Sequence, residues 1–164
     1  MSNCKQYSIL YIFLLIIICS CSEGNSSEEP VMEEQNEVAT LEGRYVGTWN
    51  SNTDLDITYT DYAISAEFEF SNTSKTRLTG AFFATSSFSS CCNSGDNDGT
   101  MFLNLDGDTI TSFNLNDVIP ECTGTFSGSG SIISKSPYTI QIDFTGSDCD
   151  GNHIGQLLFT RMRN

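Results

Sequence analysis

The chain has 164 residues, enough for one domain and a leader, with 21 acidic against seven basic side chains and a net charge of −14. That balance excludes nucleic acid as a partner, because phosphate binding needs a basic face, and it disfavours electrostatic docking on anionic lipid headgroups. It favours solubility and the attraction of cations. In chain order, Lys5 stands in a short polar start and an uncharged run from Ile9 to Ile18 follows. The run is too short for a membrane-spanning helix, which needs about 20 apolar residues, and it reads as the h-region of an export signal. Removing Lys5 with residues 1–20 leaves six basic residues against 21 acidic ones, a net of −15. Residues 21–42 hold seven Glu and almost no large apolar side chain. Such a segment cannot bury enough surface to fold alone. It is expected to be a disordered tether, about 25 Å end to end as a coil and at most about 70 Å when taut.

From Gly43 the hydrophobic period becomes two. Arg44 to Asn50 is the first expected strand. Residues 55–70 alternate in two phases with a slip at Asp61-Tyr62, explained by one bulged strand or by two short strands joined by a tight turn. Arg77–Phe88, Thr100–Leu105, Asp108–Leu115, Cys122–Ser134, Pro137–Thr145 and Asn152–Met162 follow, with Asp106-Gly107 as a two-residue hairpin signal. Merging 55–70 predicts an all-β, antiparallel up-and-down barrel of about eight strands over residues 43–164. Its interior would be just wide enough for side chains or one small ligand. Inward Gly128 and Gly130 favour a cavity; inward Phe68, Phe70 and Phe82 favour a filled core. An interior cavity of more than about 300 Å³ would support a ligand there.

Two resemblances add to this reading. Ile18-Cys19-Ser20-Cys21 resembles the lipobox of bacterial lipoproteins. The resemblance implies cleavage before Cys21, acylation of Cys21 and anchoring in the outer membrane through two or three acyl chains, a stable attachment. Acidic residues close behind Cys21, Ser22-Glu23 and Glu28-Glu29, are similar to the surface-export signals of some of these lipoproteins and imply display on the cell surface. Gly47-Thr48-Trp49 on the first strand resembles the Gly-x-Trp of lipocalin-like and avidin-like barrels. The resemblance implies that Trp49 lies at the closed base with a basic residue of the last strand, Arg161 or Arg163, packed over its ring. It also implies a binding module, with a small apolar ligand in the barrel. The later lipocalin signatures and the C-terminal helix are absent from the sequence.

Four cysteines remain after Cys21: Cys91, Cys92, Cys122 and Cys149. An exported chain meets an oxidising compartment, so two disulfides are expected among three connectivities. In an up-and-down barrel all four fall at one end, and the expectation is that Cys91 and Cys92 each pair outward, to Cys122 and Cys149. A zinc site is the competing reading, which the adjacency of Cys91 and Cys92 disfavours. The same connections carry Asp96, Asp98, Asp148 and Asp150. Their Asp/Asn/Gly pattern reads chiefly as turn chemistry, with weak calcium binding as the alternative and no other cofactor expected. No enzyme is expected: His153 is the sole histidine, placed on the rim, and no nucleophile elbow is present. The alternative to a ligand carrier is a structural or accessory surface protein whose acidic rim loops touch another protein.

Overall fold

The first strand sets the geometry. In the computed structural model, which describes residues 40–92 and 94–163, β1 (Gly43–Thr53) alternates along its length and buries Tyr45, Trp49 and Ser51 on one face. Seven more strands follow: β2 (Thr58–Phe70), β3 (Arg77–Phe83), β4 (Gly99–Asp106), β5 (Thr109–Asp117), β6 (Gly124–Lys135), β7 (Tyr138–Asp148) and β8 (Gly151–Arg161). Each pairs antiparallel with the next, and β8 returns to β1 in unbroken register from Tyr45↔Arg161 to Thr53↔His153. The result is a closed eight-stranded barrel. Closure removes every free sheet edge.

The phase slip at Asp61-Tyr62 is a bulge within one strand. Trp49 pairs with Tyr62 but Ser51 pairs with Tyr59. Asp61 takes a positive φ of 50° there, and its amide donates to Asn50 Oδ1 at 2.8 Å. The side chain of the facing strand thus satisfies the donor that the bulge releases from the ladder. Leu55 to Ile57, expected in the second strand, instead form the turn before it, with Asp56 at φ 61°. The third strand stops at Phe83 rather than Phe88, and residues 84–98 form a long connection.

The barrel is packed solid along most of its axis. Tyr45, Ile64, Leu78, Met101, Leu103, Ile110, Phe113, Ile140, Leu157 and Phe159 are essentially inaccessible to solvent. Phe68 and Phe82 are buried with them, and Phe70 packs against the cluster. Gly128 and Gly130 face this interior without opening it. A Cβ at Gly130 would stand 1.9 Å from the Gln141 carbonyl oxygen, and one at Gly128 2.0 Å from that of Asp143. The missing side chains let β7 close against β6.

One end, the base, carries the short connections 71–76, 107–108 and 136–137 and receives the chain at Thr40. The segment before β1 covers it. Tyr45 Oη donates to the Leu41 carbonyl at 2.8 Å, Arg161 Nε donates to the Glu42 carbonyl at 2.8 Å, and the Phe70 amide donates to Glu42 Oε1 at 3.0 Å. Burial among these groups holds the Tyr45 phenol far above its ordinary pKa.

Candidate ligand site at the barrel mouth

The opposite end carries connections 54–57, 84–98, 118–123 and 149–150. Two of these are long, as expected, but the connection holding Cys149 is a two-residue turn. The two ends differ in charge: the mouth is acidic, whereas the base carries both signs, with Glu42, Glu67, Glu69, Asp106 and Asp108 among its basic residues. Asp54, Asp56 and Asp61 stand around the first mouth connection, Asp96 and Asp98 in the second, Asp117 and Glu121 at the third, and Asp148 and Asp150 at the fourth. Among the described residues the lysines and arginines, Arg44, Lys75, Arg77, Lys135, Arg161 and Arg163, stand at or near the strand ends of the base, although the Arg44 guanidinium reaches Phe88 of connection 84–98 at 5.1 Å. There they meet carboxylates, as in Arg44–Glu67 at 2.5 Å and Lys135–Asp108 at 2.8 Å.

Just below the mouth lies a buried polar chain. Trp49 Nε1 donates to Ser51 Oγ at 2.7 Å, Ser51 Oγ and His153 Nδ1 are 3.0 Å apart, and His153 Nε2 is 2.9 Å from Asp148 Oδ1. A neutral imidazole with its proton on Nε2 satisfies every member: the indole N–H goes to Ser51, the Ser51 hydroxyl to Nδ1, and the Nε2 proton to the carboxylate. His153 is therefore not a rim residue; it is 2% exposed. Strand parity carried that signal, since His153 is in phase with Leu157 and Phe159 on β8, and Ser51 with Tyr45 and Trp49 on β1. Ser51 Oγ is spent within this chain, walled in by aromatic rings: Trp49, Tyr59 and Phe126 all lie within 6.0 Å of the His153 ring, centroid to centroid.

Above the chain is a hollow of about 160 Å³. Its walls are Trp49, Tyr59, Tyr62, Phe82 and Phe126, with Ile64, Ala84, Ile119 and Cys122 between them and Asp117, Asp148, Asp150 and His153 as polar members. It falls short of the roughly 300 Å³ of an ordinary small-molecule site. Tyr62 Oη donates to the Ala84 carbonyl at 3.0 Å, and Tyr59 Oη donates to Asp150 Oδ2, so both rings are fixed by their polar tips. Burial and that bond to a carboxylate raise the Tyr59 phenol well above its usual range. A larger depression, about 710 Å³, runs outside the barrel over β1, β2 and β6 to β8. It is lined by solvent-facing side chains such as Asn52, Ser127, Thr145 and Gln156, and it lacks the enclosure that holds a ligand.

Asp117 is the strained acid of the hollow. Burial pushes its carboxyl up to about 6, the Ile119 amide on Oδ1 at 2.7 Å opposes this, and the nearby charges of Asp148 and Asp98 add to the rise. A carboxyl raised above its unfolded value costs nothing below about pH 4 and progressively more as pH climbs through 6. Asp117→Asn keeps the acceptor for Ile119 and removes the charge. We expect it to stabilise the fold by about 1 kcal/mol at pH 7.5, after discounting for partial solvent screening, and by nothing at pH 3.5. Urea unfolding at the two pH values checks this; equal effects at both would mean that the charge is not the cause.

The cysteines pair differently from the expectation. Cys91 bonds to Cys92, and Cys122 bonds to Cys149 across a separation of 27 residues, with Cα atoms 4.8 Å apart. The physical reason lies in Asp98, a fully buried carboxylate. It accepts from the Ala84 amide at 2.9 Å, the Cys91 amide at 2.9 Å and the Ser90 hydroxyl at 2.5 Å. Connection 84–98 is thereby folded back on itself, and Cys91 and Cys92 stay on its exposed surface. Cys122 and Cys149 flank neighbouring strands, because Gly124 at the start of β6 lies beside Asp148 at the end of β7. Cys122 of this bridge forms part of the hollow's wall.

The four acids considered for calcium do not share one place. Asp98 is consumed by its loop, with Cys91 and Cys92 beside it, whereas Asp148 and Asp150 stand with Cys122 and Cys149. Asp96 is exposed in connection 84–98. With every one of these cysteines in a disulfide, their sulfurs are not thiolate ligands for zinc.

Trp49 and Arg161 are also placed differently from the expectation. Trp49 belongs to the mouth and packs against Phe144 at 4.4 Å and Phe126 at 4.9 Å between ring centroids. Arg161 is at the base, opposite Tyr45, four pairs along the ladder from Trp49↔Leu157 and so about 13 Å away. The arginine closes the base, but over the N-terminal segment rather than over the tryptophan. Gly47 has a structural task on the same strand: a Cβ there would stand 2.1 Å from the Leu158 carbonyl oxygen, so it lets β8 complete the barrel. Cys21 and residues 22–39 lie outside the described residues; Leu41 and Glu42, expected as the end of the tether, instead pack on the base because they bond Tyr45, Phe70 and Arg161.

The fold and the mouth thus define an all-β, closed eight-stranded barrel with an aromatic and acidic hollow at one end. No family model, curated protein or solved structure matches the chain.

Proposed function

We propose that this chain is an outer-membrane lipoprotein, anchored through acylated Cys21, whose barrel is a binding module that takes a small ligand at its mouth. One observation carries the binding reading. The interior is packed to exclusion of solvent, yet directly above it aromatic rings and fixed carboxylates enclose a hollow of about 160 Å³. Space for a ligand is therefore at the mouth rather than along the barrel axis. Ser51, His153 and Asp148 hydrogen-bond one another below the hollow and give a ligand there a fixed polar floor.

The lipobox Ile18-Cys19-Ser20-Cys21 supports the anchor. The chain enters β1 at the base, so the link to an anchor at Cys21 joins the barrel at the end opposite the mouth. Cys21→Ala is expected to abolish the acyl mass increment and to move the protein from the membrane to the soluble fraction, by intact mass spectrometry and fractionation. An unmodified wild-type chain, or a cut elsewhere, would end this part of the reading.

A second reading is favoured by Leu55 and Val118, apolar side chains of the mouth connections that are 62% and 51% exposed. With the acidic loops around them they suit contact with another protein, and Leu55→Ser with Val118→Ser would weaken such a contact without touching the hollow.

A further inference from the structure

Resting on the reading of the mouth as a small-ligand site, we propose that its ligand is a small organic cation, an ammonium head on a short apolar body. Two independent features point this way. The first is the wall: Trp49, Tyr59, Tyr62, Phe82 and Phe126 line the hollow, and aromatic rings attract cations through their negative faces. The second is charge. Asp117, Asp148 and Asp150 line the same space, while no lysine or arginine does.

Other ligand classes fit less well. An anion meets three carboxylates. A neutral apolar molecule would strip water from those carboxylates with nothing to replace it. A calcium ion wants six to eight oxygens. Here Asp148 Oδ1 is engaged by His153 and by the Asp150 amide at 2.7 Å, Asp150 Oδ2 by Tyr59 and Asp117 Oδ1 by the Ile119 amide, and most of the remaining wall is hydrocarbon. An ammonium group with apolar substituents satisfies both halves, setting charge against Asp117 and carbon against the rings. Size agrees: about 160 Å³ is the space of roughly five waters, so the ligand is metabolite-sized at most. The gathering of acids at the mouth, against mixed charge at the base, adds a field that draws cations to this end.

Trp49 is the only tryptophan of the chain and lines the hollow, so its fluorescence reports occupancy directly. The full-length chain is titrated with choline, with its uncharged carbon isostere dimethylbutanol, and with calcium chloride. Choline is expected to shift Trp49 emission saturably and to bind at least tenfold more tightly than the isostere. Asp117→Asn, with an unchanged circular dichroism spectrum, should weaken choline at least fivefold without weakening the isostere. Equal binding of choline and isostere would overturn the cationic ligand while leaving the mouth a binding site. A saturable response to calcium alone would overturn it in favour of a metal. No response to any of the three, in wild type or variant, would overturn both the cation and the small-ligand reading.

Discussion

Trp49→Ala lowers the stability of the barrel by about 4 kcal/mol, the range of a large aromatic removed from a packed core. The indole does two jobs at once. Its ring fills the space between Phe126, Phe144 and Phe82, with centroids 4.9, 4.4 and 6.3 Å away. Its N–H supplies the donor at the head of the chain through Ser51, His153 and Asp148. Trp49→Phe separates the two. It keeps most of the packing and removes the N–H, and Ser51 Oγ loses one partner, so about 1–2 kcal/mol is expected. Urea midpoints at constant slope measure both. A Trp49→Phe variant as damaged as Trp49→Ala would place most of the effect in the polar chain rather than in packing.

The second large effect belongs to the long-range disulfide. Replacing Cys122 and Cys149 together by serine should cost about 3.5 kcal/mol, the loop-closure value for a separation of 27 residues. The bridge ties connection 118–123 to the turn between β7 and β8, so the hollow should lose definition with it. Replacing Cys91 and Cys92 by serine should cost less than about 1 kcal/mol, because a bridge between adjacent residues closes almost no loop. The comparison discriminates between connectivities. Had the cysteines crossed between connections, each pair removed would leave two long loops open and both double variants would be severely destabilised. Partial proteolysis without reduction, followed by mass spectrometry, assigns the bridges independently.

Much of the fold was legible because strand parity is a strong signal where one face is buried. Ile140, Ile142 and Phe144 on β7 and Phe113 and Leu115 on β5 announced inward faces, whereas Ile110 joins them only through a register shift before Phe113, and Asp106-Gly107 announced its turn, with Gly107 at φ 58°. The slip at Asp61-Tyr62 was readable as a bulge or as a tight turn, and the structure has the bulge. The deciding contact, Asn50 Oδ1 on the Asp61 amide, is made across the sheet and leaves no local trace. The clustering of all four cysteines at one end followed from counting strands. Their pairing did not, because it hangs on the buried carboxylate of Asp98, whose role as anchor of connection 84–98 looks in sequence like one more turn aspartate.

The depth of Trp49 was hidden for a different reason. In a tilted barrel, height along the axis depends on shear as well as on position in the strand. A residue in the middle of β1 can therefore belong to either end, and the resemblance to lipocalin-like barrels pointed to the base. The acidic rim was readable from its connections. At the base, Arg44, Lys135 and Arg161 meet Glu67, Asp108 and Glu42 only once the strands pair and the barrel closes. His153 had the parity of a core residue but the chemistry of a surface one, and the partners that make its burial affordable, Ser51 and Asp148, come from two other strands.

The most direct test of the account is native mass spectrometry of the protein taken gently from the membranes of its own cells, beside a Tyr62→Ala variant that opens one wall of the hollow. The account predicts a chain beginning at acylated Cys21 that carries one small additional molecule, retained by the wild type and lost from the variant. An acylated chain with nothing bound, or an adduct held equally by both proteins, would contradict a ligand site at the mouth.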